Sequence, residues 1–311
     1  MPRAVVIGTG AYLPSRIVTN AELPAHLETS NEWIVERTGI EQRHLAAEGE
    51  TTSDLATLAG ADAIKNAGID ANSIDLVILA TTTPDDTMPA TATKVQHKLG
   101  ITRGAAFDVN AACSGFVYAM TIANSFIAAG QAKRILVIGA ETYSRILDWN
   151  DRTTCILFGD GAAAILLDAQ ESERGIVFSN IHSDGQYTEQ LKTPMGGTLF
   201  MAGKEIFRHA VAKMPAAVEE GLAALGLPAS AIDWLVPHQA NMRILNGVAQ
   251  KLAIGEGRVI STVAKHANTS AASIPLALHF AAKDGKIRPG QLIACPALGA
   301  GLTWGCTLIR W

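Results

Sequence analysis

Apolar runs alternate with amphipathic segments along the first half of the chain. The runs are continuously apolar, which is typical of strands buried on both faces of a parallel sheet. The amphipathic segments place apolar residues at helical spacing, as Leu55, Leu58 and Ala59 show. The pattern predicts strands over residues 3–10, 74–80 and 134–139, helices over residues 53–67, 87–99 and 116–129, and a polar, irregular segment over residues 20–45. Strands that alternate with helices indicate an α/β fold.

The second half of the chain repeats the pattern of the first half. Residues 67–77 match residues 225–235 at a constant offset of 158, without a gap. A helix–strand–helix–strand unit that occurs twice, at a period near half the chain, indicates an internal duplication. We therefore expect two similar halves, residues 1–170 and residues 171–311, that pack about a pseudo-twofold axis.

Composition narrows the class of protein. The 311 residues are 48% hydrophobic and only 17% charged, which provides a large core and favours burial of some surface in a dimer. The net charge of −4 argues against general binding to nucleic acid or to anionic lipid. The N-terminus is typical of a strand rather than of a signal peptide, and no apolar run reaches membrane-spanning length. The four cysteines lack CxxC spacing and a neighbouring histidine cluster, which argues against zinc and for a reducing cytoplasm.

Residues 107–116 contain the candidate nucleophile, Cys113. An apolar run ends there, a turn of small residues follows, and a long apolar helix is predicted to begin near Phe116. Free backbone N–H groups and the positive end of the helix dipole favour a thiolate at such a position, and the same N–H groups suit an oxyanion. A free cysteine is more often a small buried hydrophobe, so this stretch alone leaves both interpretations open.

The second half supplies two candidate partners for Cys113. His238 follows a predicted strand at its carboxyl end, where α/β folds place ligands. Asn268 falls near the pseudo-symmetric counterpart of Cys113 and precedes another helix of small residues. Taken singly, each is more often a structural residue. Together they predict a Cys/His/Asn site where equivalent points of the two halves meet.

Three further motifs carry weaker signals. Residues 8–10, Gly-Thr-Gly, end the first strand, but the third glycine of a dinucleotide-binding turn is missing. The His-Ser-Asp run at residues 182–184 contains the residue types of a catalytic triad, yet adjacent residues on a turn rarely converge. Within the polar segment, Trp33 and Arg37 fit either an aromatic, phosphorylated ligand or a surface loop anchored by its tryptophan.

At these residues the chain resembles the β-ketoacyl-acyl-carrier-protein synthase III family of the thiolase superfamily. The resemblance extends from the first strand to Trp311 and rests on six motifs taken together. The motifs lie at residues 31–40, 111–116, 158–162, 236–241, 268–273 and 301–305. The resemblance implies an α/β, duplicated thiolase-like αβαβα fold in five layers, a homodimer and no cofactor.

The resemblance also implies a two-step acyltransferase reaction. Cys113 would accept a short acyl group from an acyl-CoA primer and release CoA. Malonyl-acyl-carrier-protein would then enter, and His238 and Asn268 would favour its decarboxylation by hydrogen-bonding the thioester oxygen, where enolate charge develops. The carbanion would attack the acyl group on Cys113 and give a β-ketoacyl product, which initiates fatty-acid synthesis.

Further roles follow from the resemblance, residue by residue. The expected CoA-binding residues are Thr29, Trp33, Arg37, Arg152, Gly203, Phe207 and Asn241. Arg243 and Lys251 would dock the acidic carrier protein from one helix face, and Met88 would gate the acyl pocket across the dimer. The backbone N–H groups of Cys113 and Ala300 would form the oxyanion hole. The family usually has a glycine where Ala300 stands, and a Cβ there restricts φ.

Two other functions stay open at this point. One is a synthase-III-like acyltransferase or condensing enzyme of secondary metabolism, which the Cys113, His238 and Asn268 set does not separate from fatty-acid synthesis. The other is a non-catalytic protein that binds acyl chains, and the retention of all three residues argues against it. The missing glycine fingerprint disfavours a nucleotide-dependent oxidoreductase.

Overall fold

The computed structural model describes residues 2–311, apart from the side chain of Glu256. Its strands are β1 (Arg3–Tyr12), β2 (Arg16–Thr19), β3 (Gln42–Leu45), β4 (Leu76–Ala80), β5 (Ala105–Val109), β6 (Arg134–Glu141), β7 (Gly161–Gln170), β8 (Gly175–Ser183), β9 (Leu191–Lys192), β10 (Phe200–Met201), β11 (Trp234–Leu235), β12 (Leu292–Gly299) and β13 (Thr303–Arg310). Its helices are α1 (Asn31–Thr38), α2 (Thr52–Ala67), α3 (Thr91–Lys98), α4 (Gly115–Ala128), α5 (Arg152–Cys155), α6 (Gly203–Leu225), α7 (Met242–Lys251), α8 (Val263–His266) and α9 (Ser273–Lys283). The three predicted strands and the helices predicted at 53–67 and 116–129 are confirmed within two residues.

Two sheets of related topology form the framework. The first has the strand order β1-β7-β6-β4-β5, in which β4 is parallel to β5 and β6, and β7 is antiparallel to β1 and β6. The second has the order β8-β13-β12-β11, in which β11 is parallel to β12, and β13 is antiparallel to β8 and β12. The second sheet therefore repeats the order and strand directions of β1-β7-β6-β4.

Helices and sheets stack in five layers. The helices α4 and α9 lie between the sheets, where Phe116, Met120 and Ile274 share one core with strands of both sheets. The helices α2 and α3 cover the other face of the first sheet. The helices α6 and α7 cover the other face of the second sheet. The layer order is thus αβαβα, as predicted.

Local geometry follows the repeat as well. The 3-10 turns at Ala112–Ser114 and Ser270–Ala272 are separated by the predicted offset of 158 and lead into α4 and α9. Both turns hold a non-glycine residue in the left-handed region, Ala112 at φ 47° and Ser270 at φ 49°. Such a backbone conformation is costly for an L-residue and persists only where the surrounding structure imposes it. The boundary between the halves at residue 170 stays a prediction.

Two parts of the secondary-structure prediction are wrong. The helix predicted over 87–99 begins only at Thr91, and a helical conformation is disfavoured at Met88 because it precedes Pro89. The segment 20–45 is not irregular but contains α1 and β3, and β3 pairs antiparallel with β2 just before the segment. The helix α1 is polar, and it is stabilised at its N-terminus by Ser30 Oγ, which accepts a hydrogen bond from the Trp33 N–H at 3.2 Å.

Membrane-spanning helices and metal-binding clusters are both absent from the described residues. No helix in the described part of the chain is long and apolar enough to cross a membrane. Among the same residues, no group of three or more His, Cys, Asp or Glu side chains is arranged to hold a metal ion. All four cysteines are buried and free.

Candidate active site

The turn that carries Cys113 is packed tightly between the halves of the molecule. It follows β5 and leads into α4, and the Cys113 side chain is buried. The end of β12 lies against it, because a Cβ added at Gly299 would stand only 2.8 Å from the Cys113 backbone nitrogen. Only glycine permits this approach. The sequence prediction that Cys113 lies at the start of a helix is confirmed.

Burial and the helix N-terminus have opposite effects on the protonation of Cys113. Burial raises the pKa of the thiol from its usual 9.0 to about 12, the Ser270 hydroxyl lowers it, and the charge of Glu141 raises it further. A helix N-terminus stabilises an anion by at most ~2 kcal/mol, or about 1.5 pKa units. Burial therefore outweighs the helix terminus, and the resting site holds a thiol rather than the thiolate that a helix N-terminus favours.

His238 lies just beyond the carboxyl end of β11, next to β12. Its backbone N–H donates to the Pro296 carbonyl at 2.9 Å, and its ring is buried. Nδ1 lies 2.7 Å from the Ser273 hydroxyl, which leaves Nε2 without a protein partner in the described part of the chain. Burial lowers the pKa of His238 to about 3. The imidazole is therefore neutral at physiological pH.

Asn268 is held by its neighbours so that its amide can donate. The Oδ1 atom accepts a hydrogen bond from the backbone N–H of Ser270 at 2.8 Å. The Asn268 backbone is tied to the segment after α5, with its N–H donating to the Leu157 carbonyl at 2.9 Å and its carbonyl accepting from the Gly159 N–H at 3.0 Å. The Nδ2 hydrogens are left for a ligand.

One cavity brings together most of the predicted site. Its volume is about 440 Å³, and Cys113, His238 and Asn268 all line it. Of the residues predicted to bind CoA or the carrier protein, it is lined by Trp33, Arg37, Arg152, Gly203, Phe207, Asn241 and Arg243. No Asp or Glu side chain of the described residues lines it. We call it the Cys113 cavity.

The mouth of the Cys113 cavity is aromatic and basic. The guanidinium carbon of Arg37 lies 4.6 Å from the centre of the Trp33 ring, and that of Arg152 lies 5.4 Å from it. The Arg152 guanidinium also donates to the Glu28 carbonyl at 2.8 Å. Opposite, Arg243 lies over Phe207 at 5.7 Å. A flat ring with phosphates attached would find both stacking surface and positive charge here.

The remaining predicted residues lie outside the Cys113 cavity. Thr29 has a buried hydroxyl without a hydrogen-bond partner, and Lys251 is exposed at the end of α7. Met88 is 82% exposed. Ala300 lines a second cavity, of about 500 Å³. Its φ is not positive, so the Cβ that distinguishes it from the family's usual glycine causes no backbone strain.

The His-Ser-Asp run at residues 182–184 does not form a site. His182 Nε2 donates to the Glu220 carboxylate at 2.9 Å, and the His182 ring stacks on Trp304. Asp184 instead caps a 3-10 turn through the Gln186 N–H. The residues at 182–184 therefore make no catalytic triad, as the sequence analysis expected.

Sequence reasoning missed two buried polar residues beside the site. Glu141 ends β6 and accepts hydrogen bonds from the hydroxyls of Thr81, Thr82 and Thr83, at 3.2, 3.2 and 2.7 Å. Ser273 begins α9 and contacts His238. A carboxylate at the carboxyl end of an apolar strand was a signal for Glu141. No sequence pattern predicts the contact between His238 and Ser273, which are 35 positions apart.

The chain matches known proteins over nearly its whole length. Family models described as 3-oxoacyl-(acyl-carrier-protein) synthase III and its C-terminal part match residues 107–185 and 222–311. A β-ketoacyl-acyl-carrier-protein synthase III of Rhodospirillum centenum is 57% identical over 99% of each chain. The solved 3-oxoacyl-(acyl-carrier-protein) synthase III of Aquifex aeolicus is 45% identical, with a TM-score of 0.97 over 99% of this chain and 100% of that one. The corresponding structure from Pseudomonas aeruginosa is 43% identical, with a TM-score of 0.95 over 99% and 98%. The chain therefore belongs to the β-ketoacyl-acyl-carrier-protein synthase III family of acyltransferases, and its five layers are the duplicated thiolase fold.

Proposed function

We propose that this chain condenses a short acyl group with malonyl-acyl-carrier-protein and so initiates fatty-acid synthesis, with Cys113, His238 and Asn268 as its catalytic residues. One observation carries the proposal. A buried thiol, a neutral imidazole and an amide donor line the same cavity, and no carboxylate of the described residues lines it. Two uncharged donors suit a reaction in which negative charge develops on an oxygen only in the transition state.

The first step transfers the acyl group to Cys113. The sulfur attacks the thioester carbon of an acyl-CoA, the bond from that carbon to the CoA sulfur breaks, and the Cys113 proton ends on the departing CoA thiol. The exchange consumes no net proton, which suits a nucleophile whose pKa is raised to about 12 by burial. The backbone N–H groups of Cys113 and Ala300 hold the oxyanion of the tetrahedral intermediate.

The second step uses the two donors. The malonyl thioester loses carbon dioxide, and the carbonyl oxygen takes the charge of the enolate. His238 Nε2–H and Asn268 Nδ2–H donate to that oxygen, because Nδ1 and Oδ1 are already engaged. The carbanion attacks the acyl-Cys113 carbon and expels the sulfur. The expelled thiolate then takes up one proton, which the high pKa of Cys113 favours.

The remaining residues bind the substrates. Trp33 and Arg152 flank the adenine of CoA, Thr29 and Arg37 lie near its phosphates, and Gly203, Phe207 and Asn241 line the path of the pantetheine. Arg243 and Lys251, which both belong to α7, dock the carrier protein. Met88 reaches the acyl pocket of a second copy in a homodimer. The enzyme works in the cytoplasm without a cofactor, and residues 1–170 and 171–311 are its two halves.

The proposal is tested by intact-protein mass spectrometry with acetyl-, propionyl- and isobutyryl-CoA. We expect an acyl adduct on wild type that malonyl-acyl-carrier-protein clears with formation of a β-ketoacyl product. Cys113→Ala should carry no adduct. Cys155→Ala is the matched control, because Cys155 is also buried near the cavity but does not line it, and it should behave as wild type.

Three outcomes would contradict the proposal in different ways. An adduct that malonyl-acyl-carrier-protein does not clear would indicate an acyltransferase with another acceptor. An adduct that survives Cys113→Ala would place the nucleophile elsewhere. No adduct with any primer would indicate a protein that binds acyl chains without turnover.

A further inference from the structure

We infer that Ser273 is a positioning residue that holds neutral His238 in the tautomer with its proton on Nε2, and that it thereby serves decarboxylation and not acylation of Cys113. The inference rests on the proposed function, since it assigns a task to one residue within that reaction. Ser273 is the first residue of α9, and its side chain is buried.

The hydrogen-bond partners of the Ser273 hydroxyl decide where the His238 proton sits. The hydroxyl oxygen accepts from the backbone N–H of Gln239 at 3.2 Å and lies 2.7 Å from His238 Nδ1. No other acceptor contacts the Ser273 hydroxyl in the part of the chain that the structure describes. The hydroxyl has one proton to donate, and Nδ1 is its available acceptor.

The alternative tautomer leaves a buried group unsatisfied. If Nδ1 carried the proton, it would donate to the Ser273 oxygen, and the buried Ser273 proton would then have no acceptor among the described residues. A buried donor without a partner is unfavourable. With the proton on Nε2, Ser273 donates to Nδ1 and accepts from Gln239, and every group is satisfied.

The chosen tautomer separates the two steps of the reaction. His238 lines the Cys113 cavity with Nε2 free of protein partners, so Nε2–H is a donor for the enolate oxygen. The same proton prevents Nε2 from accepting the thiol proton of Cys113. Loss of Ser273 should therefore slow the step that needs a donor and spare the step in which the thiol proton passes to CoA.

The experiment compares wild type, Ser273→Ala and Ser273→Thr, in which threonine restores the hydroxyl. Single-turnover acylation and decarboxylation of malonyl-acyl-carrier-protein are measured separately. We expect decarboxylation to fall about 10- to 100-fold in Ser273→Ala, acylation to change less than about threefold, and Ser273→Thr to recover most of the loss. Thermal melts show that each variant is folded.

A spectroscopic readout tests the tautomer without reference to activity. Nitrogen-15 NMR of histidine-labelled protein, assigned with His238→Asn, reports which ring nitrogen is protonated. Wild type should show a protonated Nε2 and a bare Nδ1, and Ser273→Ala should lose this preference. Ser114→Ala is the matched control, because it removes another buried hydroxyl without contact to His238, and it should keep the wild-type tautomer.

Each result decides one way. A protonated Nδ1 in wild type, or equal losses in both steps of Ser273→Ala, would overturn the inference. Should Ser273→Ala not fold, the wild-type tautomer alone decides. A wild type with Nε2–H that makes no β-ketoacyl product would overturn the proposed function while the tautomer assignment stands.

Discussion

Replacing Glu141 with glutamine tests how a buried charge behind the nucleophile affects stability. Burial raises the pKa of Glu141 from an ordinary 4.5 to about 7, and the hydrogen bonds from Thr83 and Thr82 offset only part of that cost. The folded protein therefore binds this proton more tightly than the unfolded chain, so the free energy of unfolding falls as the pH rises from 4.5 to 7. At ~1.4 kcal/mol per pKa unit, the loss is about 3 kcal/mol.

Two buried histidines act in the opposite direction over part of this range. Burial lowers the pKa of His238 to about 3 and that of His266 to about 4. Below their unfolded value of 6.5, the unfolded chain takes up their protons and stability falls as the pH falls. The wild-type profile therefore combines opposing slopes. Subtracting it from the Glu141→Gln profile isolates the carboxyl group, because both proteins keep both histidines.

The assay is urea unfolding from about pH 5 to about pH 8 for wild type, Glu141→Gln and Glu36→Gln, whose carboxylate is exposed on α1. Glutamine accepts fewer hydrogen bonds from the threonines and shifts the whole curve by a constant. Across the pH range, the unfolding free energy of Glu141→Gln relative to wild type should still rise by about 2.5 kcal/mol. Glu36→Gln should run parallel to wild type. A flat difference curve for Glu141→Gln would refute the reasoning.

Two further substitutions test the entrance of the Cys113 cavity and the packing of β12 against the turn that carries Cys113. Trp33→Ala removes the ring that contacts the Arg37 and Arg152 guanidinium groups. A contact of this kind contributes about 1 kcal/mol, so the KM for acyl-CoA should rise about 5- to 10-fold with kcat little changed, and Trp33→Phe should recover most of the loss. An unchanged KM would contradict the proposed adenine site. Gly299→Ala places a methyl group 2.8 Å from the Cys113 backbone nitrogen. The rate of acylation, measured by mass spectrometry, should therefore fall at least about 100-fold. The control Gly185→Ala adds a methyl group where no atom outside its chain neighbours lies within 4 Å, and it should be acylated like wild type. Normal acylation of Gly299→Ala would show that the turn tolerates displacement.

Cys113 and His238 were predictable from strand order, which limits where a side chain lies, whereas the residues at the mouth of the Cys113 cavity followed only from the resemblance to the family. Cys113 and His238 each follow a parallel strand, and the carboxyl ends of such strands meet at one edge of a sheet. The repeat at an offset of 158 then predicted that the edge of the first sheet, with Cys113, lies close to the edge of the second sheet, with His238. Asn268 came from the same repeat, although the residue equivalent to Cys113 by that offset is Ala271.

The protonation states and the supporting contacts were not predictable, because they depend on burial. A helix terminus is visible in sequence, but the depth at which Cys113 lies is set by both sheets, and that depth reverses the expected pKa shift. The contact of Ser273 with His238 joins residues 35 positions apart. Helix α1 was missed because its polar sequence lacks an apolar stripe, and its signal was the Ser30 cap.

The site forms where each sheet packs against the turn that belongs to the other half of the molecule. A Cβ at Gly299, on the second sheet, would stand 2.8 Å from the Cys113 nitrogen in the turn of the first. A Cβ at Gly139, on the first sheet, would stand 2.3 Å from the Ala271 carbonyl oxygen in the turn of the second. Each strained turn is thus pressed into place by the other sheet. The turn at Ala112–Ser114 presents Cys113, and the turn at Ser270–Ala272 directs the Ser270 N–H toward Asn268. Neither half alone would therefore hold both Cys113 and Asn268 in place.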